Sequence, residues 1–339
     1  MRGNMEKIIS TFQRFAEYEA KGKSPIYEYW CKKIITNEPL LNLISHIPET
    51  QPKPNLFFAS VQYLCTKKVC PLTIIFDEPE HVDFEETFYL LFMFCMKHEF
   101  ELIQLFQTKL VQTNEVQRAS YLYPIFSEIS SIVNKPLTLI EIGTSAGLLL
   151  NLDGYHYQIK QNPAINFGNP QSSLTIRADN LGDPISEINK LIIQYRIGID
   201  LNVLDLDDEE QYTWLKCLIW PELKSRKTNL EKARQIHQQC PKHLLAGDFR
   251  EILPELLKTD IYKESQIIIF HTHVANQFSR QLKEELIQVL QRFSTKQPIY
   301  HVYNNMYDAD LHVDLIENSI ITSKKTMKNT DGHGNYYYW

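Results

Sequence analysis

The chain has 339 residues, and at roughly 150 residues per domain that suggests two domains. With 43% hydrophobic and 22% charged residues it carries enough apolar surface to build a core, which excludes a disordered polar chain. Thirty-five Lys and Arg against 41 Asp and Glu give a net charge of −6. Residues 1–135 hold 14 basic against 16 acidic side chains, leaving 21 against 25 for the rest (35 − 14, 41 − 16), so neither half has the basic excess of a general nucleic-acid or anionic-membrane binder.

The opening MRGNMEKIISTFQRF has no long apolar core and no small-residue cleavage site, so a cytoplasmic location is expected. The densest apolar run, Phe88 to Met96, is far shorter than the roughly 18 residues needed to cross a bilayer. Six cysteines are scattered without a CxxC pair, and reduced thiols are expected.

Residues 5 to about 133 read as helices. Ile8, Ile9, Phe12, Phe15 and Ala16 form one stripe at the 3.6-residue period. Ser24-Pro25 has the cap-then-proline order that opens a helix through Trp30. Asn55 is a candidate cap after the proline-rich 48–55 loop, and Asp83 with Glu86 has capping-box spacing. Asn114, Glu115 and Arg118 begin a late helix as a polar cluster. It is a candidate substrate-binding element, though Glu115 and Arg118 could also simply pair.

After Lys135-Pro136 short β-branched runs alternate with helical stretches: LTLIEIG, YRIGIDL, HLLAGD, QIIIFHTH and PIYHVYN. That grammar predicts an α/β fold, a helical N-terminal region at 1–133 followed by a mostly parallel, Rossmann-like sheet flanked by helices over 134–339. The C-terminal DGHGNYYYW reads as a final edge strand after a glycine turn.

The sharpest motif is LTLIEIGTSAGLLLNL. A strand ends at Glu141, the small residues Gly143, Thr144, Ser145, Ala146 and Gly147 follow, and then a leucine-rich helix is expected. Ligands of open α/β sheets bind outside the carboxyl ends of strands, beside such loops. The GK[ST] ending of a phosphate-binding loop is absent, and Ser145 and Leu148 stand where a dinucleotide fingerprint needs glycine.

The Glu-x-Gly-x-Ser-x-Gly spacing resembles the first motif of class I S-adenosylmethionine-dependent methyltransferases, with serine for the middle glycine. The resemblance implies a cofactor loop of Glu141, Gly143, Thr144, Ser145 and Gly147. It implies a ribose-binding acid, Asp200 with Leu201 beside it in preference to Asp179, and an adenine contact at Asp248 and Phe249. A carboxylate suits the ribose because it accepts two hydrogen bonds from a vicinal diol. The 57 residues from Gly143 to Asp200 require an insertion over roughly 153–193, taken as a hairpin, with Asp153, Tyr155 and Tyr157 as a lid or as exposed surface. Nearly the whole chain, through GKSPIYEYW, QTNEVQRASYLYPIF, GDFREILPELL and GHGNYYYW, resembles the bacterial family termed domain of unknown function 2332.

His271 and His273 close QIIIFHTH, and alternation along a strand would turn both into one cleft. Either could act as a base near neutral pH. The expectation is therefore a methyltransferase using S-adenosylmethionine on a small-molecule or protein side-chain acceptor. The alternatives are a metal-dependent hydrolase on His271 and His273, with His301 or His312 as third ligand, and a non-catalytic scaffold.

Overall fold

A computed structural model describes residues 2–80, 82–259 and 262–339. In chain order the helices are α1 (Arg2–Arg14), continued by a π-helical turn (Phe15–Ala20), α2 (Pro25–Ile34), α3 (Glu38–Ser45), α4 (Lys53–Lys67), α5 (Thr73–Asp77), α6 (Phe84–Lys97), α7 (Glu99–Thr108), α8 (Ala119–Val133), α9 (Glu209–Cys217), α10 (Lys224–His237), α11 (Phe249–Lys258) and α12 (Arg280–Phe293). The strands are β1 (Leu137–Ile142), β2 (His156–Lys160), β3 (Ile165–Gly168), β4 (Thr175–Asn180), β5 (Ile193–Asp200), β6 (His243–Ala246), β7 (Gln266–His271), β8 (Ile299–Tyr303), β9 (Leu311–Glu317), β10 (Ile320–Met327) and β11 (Tyr336–Tyr337).

The chain forms two compact units. The first joins residues 1–113 with 207–228, and the second joins 114–206 with 229–339. In the first, the stripe Ile8, Phe12, Phe15 and Ala16 is buried, and Trp30, Phe57, Phe58, Trp214 and Cys217 belong to the same core. The Ser24 and Asp83 side chains cap α2 and α6 as their spacing predicts. Asn55 does not cap: α4 begins two residues earlier, with Pro54 in its first turn, where the missing N–H costs nothing. Cys65 and Cys70 are joined by a disulfide, against the expectation of free thiols throughout. The turn after α4 brings their Cα atoms to 5.0 Å, inside bonding range.

The second unit is an α/β layer structure with a Rossmann-like sheet of seven strands in the order β10-β9-β8-β7-β1-β5-β6. From β6 to β8 neighbouring strands are parallel, while β9 and β10 are antiparallel to their predecessors. All six residues of β1 and of β7 are buried, as central parallel strands covered on both faces require. Strand order reverses at β1: the chain goes next to β5 on one side and later to β7 on the other, which opens a crevice at their carboxyl ends.

The segment after the glycine loop differs from expectation in two ways. No α-helix follows the loop; residues Leu149–Gly154 form a single short 3₁₀ helix. The hydroxyls of Tyr155 and Tyr157 donate to the carbonyls of Leu148 and Leu152, both at 2.6 Å, beside the 3₁₀-type backbone bonds that those carbonyls also accept. The insertion is also larger than a hairpin. Strands β2, β3 and β4 form a second sheet, with β11 at its edge in the order β11-β4-β2-β3. Tyr155 and Tyr157 are fully buried, so they are neither lid nor surface, and Asp153 pairs with Arg196.

Candidate functional site

The carboxyl ends of β1, β5 and β7, beside the strand-order reversal, carry most of the predicted residues. Gly143, Ser145 and Gly147 all have positive φ, at 74°, 50° and 70°. Ser145 thus holds a left-handed conformation that glycine adopts more readily. The glycine at 143 is required by packing, since a Cβ there would lie 2.6 Å from Val274 Cγ2.

Every backbone N–H of the loop has a partner. Gly143 and Thr144 donate to Ile199 O (2.8 and 3.3 Å), and Gly147 donates to Thr144 O (2.8 Å). Ser145 donates to Asp200 Oδ2 (2.8 Å), and Ala146 to Asn114 Oδ1 (3.1 Å). The Asn114 amide also donates to Ser145 Oγ at 2.6 Å. The structure thus brings Asp200 and Asn114 onto the loop from opposite ends of a long stretch of sequence. Asp200 Oδ1 accepts from Asn202 N (2.9 Å), and Leu201 beside it is exposed.

Beneath the loop, Glu141 is buried and accepts from Thr144 Oγ1 at 2.7 Å. Burial pushes its carboxyl up to about 8, so it is largely protonated at neutral pH. Arg118, also buried, donates from Nε to Gly332 O (2.9 Å) and from Nη1 to Thr272 Oγ1 (3.2 Å). Glu115 Oε1 caps the turn by accepting from Gln117 N (3.2 Å).

His271 and His273 do not share a cleft. The strand ends at His271 and His273 turns into the left-handed region at φ 65°, which breaks the alternation on which the expectation rested. The His271 ring is fully buried with its Nε2 3.1 Å from His301 Nε2. Burial drives His271 down to about 3 and His301 well below the ordinary histidine range. His273 lies at the crevice: its N–H donates to Asn304 Oδ1 (2.7 Å), and the amides of Asn304 and Asn305 lie 3.3 and 3.2 Å from its Nε2 and Nδ1. Burial, aided by Arg118 and His333, holds it down to about 4. Among the described residues no group of three His, Cys, Asp or Glu side chains could hold a metal ion, and His312 instead faces Asp308 at 2.7 Å.

Asp248 and Phe249 stand at the end of β6. Asp248 caps α11 through Arg250 N (2.8 Å) and pairs with the Arg250 guanidinium (2.6 Å). Phe249 is buried against Phe278, ring centroids 5.4 Å apart, so its ring is part of the core. Sequence reading missed Thr272, Asn304, Asn305 and the Asp331–Gly334 turn. The sequence signal for the last is the Gly-His-Gly triplet, which by itself marks only a turn before a strand.

Residues 10–339 match the model of a family described as an uncharacterised protein conserved in bacteria, domain of unknown function 2332. No curated protein and no solved structure gives a significant match. Among the described residues no helix is long and apolar enough to cross a membrane.

Proposed function

The chain belongs to this bacterial family of domain of unknown function 2332, and on that premise we propose that its second unit is an S-adenosylmethionine-dependent methyltransferase. The acceptor would be a small molecule or a protein side chain. The observation that carries the reading is the Asp200 carboxylate at the strand-order reversal. Its Oδ2 accepts from Ser145 N of the loop and its Oδ1 from Asn202 N just past the strand, and each oxygen has a second lone pair, the acceptor set a ribose diol needs.

The loop itself narrows the class of cofactor. A pyrophosphate is held by backbone N–H groups of the glycine loop and of the following helix. Here all five loop amides have partners and only a short 3₁₀ turn follows. These facts fit a nucleoside cofactor with no phosphate at this point, as S-adenosylmethionine is. When bound, it supplies an electrophilic methyl group on sulfur.

In this reading Asp200 holds the ribose, with Leu201 and Asp248 toward the adenine end. Glu141, Gly143, Thr144 and Gly147 shape the floor, and Ser145 with Asn114 fixes the loop. Arg118, with Asn114 and Glu115 before it, borders the acceptor side, where neutral His273 orients the substrate. His271 is a core residue. Transfer needs chiefly alignment of nucleophile and methyl group, so few catalytic side chains are required.

A non-catalytic scaffold is the second reading, favoured by Asn114 seated on the loop where a ligand could otherwise bond. Calorimetry with S-adenosylmethionine and S-adenosylhomocysteine on the wild type and Asp200→Asn separates the two. Micromolar binding weakened by about tenfold or more in the variant, roughly the cost of one charge-assisted bond, supports the methyltransferase. Absence of binding to the folded wild type leaves the scaffold.

A further inference from the structure

Neither His271 nor His273 is suited to take a proton from an acceptor near neutral pH. One is sealed in the core, and the other, held down to about 4, is a weak proton acceptor at neutral pH. A third histidine stands on the Asp331–Gly334 turn. His333 is 42% exposed while its Nδ1 is buried, 3.8 Å from Oε2 of Glu115, within ion-pair range though beyond hydrogen-bond length, and the Glu115 side chain is 3% exposed.

The turn that carries this ring is clamped on both sides of it. Arg118 Nε donates to the carbonyl of Gly332, and Ser120 Oγ (2.8 Å) and Gln117 Nε2 (3.3 Å) donate to that of Gly334. Gly334 has φ +82°, and a Cβ there would lie 2.5 Å from Gln117 O, so only glycine lets the turn seat this closely. A Cβ on Gly332 would lie 3.1 Å from the His273 ring, which puts the turn at the crevice. Asn114, the residue before Glu115, touches the glycine loop. One short stretch therefore holds the loop with one side chain and faces the histidine with the next.

Resting on the methyltransferase reading, we propose that Glu115 and His333 form a carboxylate–imidazole dyad whose Nε2 is the proton acceptor of the site. The acceptor substrate then belongs to the class whose nucleophile carries a proton: a hydroxyl, thiol or amine. As the nucleophile's lone pair forms its bond to the methyl carbon, the carbon–sulfur bond breaks with its electron pair left on sulfur. The nucleophile's proton passes to His333 Nε2. Glu115, a positioning residue, keeps the other proton on Nδ1 and stabilises the imidazolium that forms, the division of labour of other carboxylate–histidine pairs.

Nitrogen-15 NMR of the full chain tests the dyad without any substrate, with the His333 signal identified by its loss in His333→Gln. The expected ring is the Nδ1–H tautomer in the wild type. Carbethoxylation of His333 by diethyl pyrocarbonate at pH 8 should slow about threefold or more in Glu115→Gln, as lower basicity lowers nucleophilicity. Glu115→Gln retains a side-chain oxygen to cap Gln117 N, so the fold is kept. An Nε2–H ring in the wild type, or a carbethoxylation rate indifferent to Glu115→Gln, overturns the proposal. Calorimetry on His333→Gln keeps the two readings apart. A base on the acceptor side leaves S-adenosylmethionine affinity within about threefold, because it acts only as charge develops. If the wild type binds no S-adenosylmethionine but the NMR and carbethoxylation results hold, the methyltransferase reading fails while the dyad stands.

Discussion

The Nε2 atoms of His271 and His301 lie 3.1 Å apart between fully buried rings. One ring must donate and the other accept, so the bond holds only while at least one ring is neutral. Both are held below the ordinary value of about 6.5 by burial. At these two rings the folded chain therefore binds fewer protons than the unfolded chain below about pH 6.5, and their contribution to stability falls as pH drops toward about 3 for His271. Urea midpoints at pH 7, 5.5 and 4.5 should decline, and His301→Phe should flatten that decline. At pH 7 the same variant should cost about 1–3 kcal/mol, since His271 Nε2 loses its partner.

Glu141 gives the opposite slope. Its carboxyl, raised to about 8, stays protonated in the fold at pH values where the unfolded chain has ionised it. Stability is lost as pH rises from about 4.5 through 8. Glu141→Gln, neutral at every pH, should be more stable than the wild type at pH 8.5 and nearly equal to it at pH 4.5. A difference in stability between Glu141→Gln and the wild type that is the same at pH 8.5 and pH 4.5 would contradict the buried, protonated carboxyl.

Gly143→Ala should be among the most damaging changes in the loop. It forces a Cβ into the left-handed region, about 1–2 kcal/mol, and against the Val274 side chain, an overpacking cost of about 1–3 kcal/mol. Ser145→Gly should lie within about 1 kcal/mol of the wild type. Relief at φ 50° offsets the loss of the bond from Asn114. Thermal melts of the two variants should differ widely.

Asn114→Leu removes the acceptor of Ala146 N and the donor to Ser145 Oγ together. Hydrogen exchange should show lost protection at the Ala146 amide, while Gly143, bonded to Ile199 O, keeps its own. Equal protection at Ala146 in both proteins would mean that Asn114 does not hold the loop.

The bond between Cys65 and Cys70 closes a short loop, and its removal should cost about 2 kcal/mol by loop entropy. Reductant should lower the melting temperature of the wild type and leave a Cys65→Ser/Cys70→Ser protein unchanged.

The strands were legible because each of the five runs from LTLIEIG to PIYHVYN is a compact β-branched stretch between turn residues, and local composition suffices for that. Asp200 was legible for the same reason: it ends such a run. The residues around His271 were not, because their environment depends on which strand lies alongside. His271 meets His301 only because β7 pairs with β8, a register that spacing within one segment does not carry. Tyr155 and Tyr157 misled for a related reason. Their alternation is that of a half-exposed strand, yet stacking of Tyr157 on Phe167, with centroids 4.8 Å apart, and the carbonyls under their hydroxyls bury them. The Gly-His-Gly turn was visible as a turn, but its clamp comes from residues 117–120, over two hundred positions away.

The helical unit is discontinuous in sequence, and this has a bearing on how the protein is made. Its core includes Trp214 and Cys217, and Trp214 Nε1 donates to Leu110 O at 2.9 Å. A ribosome that has delivered only the first seven helices has delivered a core with one wall missing. That unfinished surface must wait, exposed, while the strands from β1 to β5 emerge, an interval in which apolar helices are open to aggregation or chaperone capture. A fragment ending at residue 113 or 133 reproduces this waiting state permanently, and so should be recovered aggregated or chaperone-bound where the full chain is not.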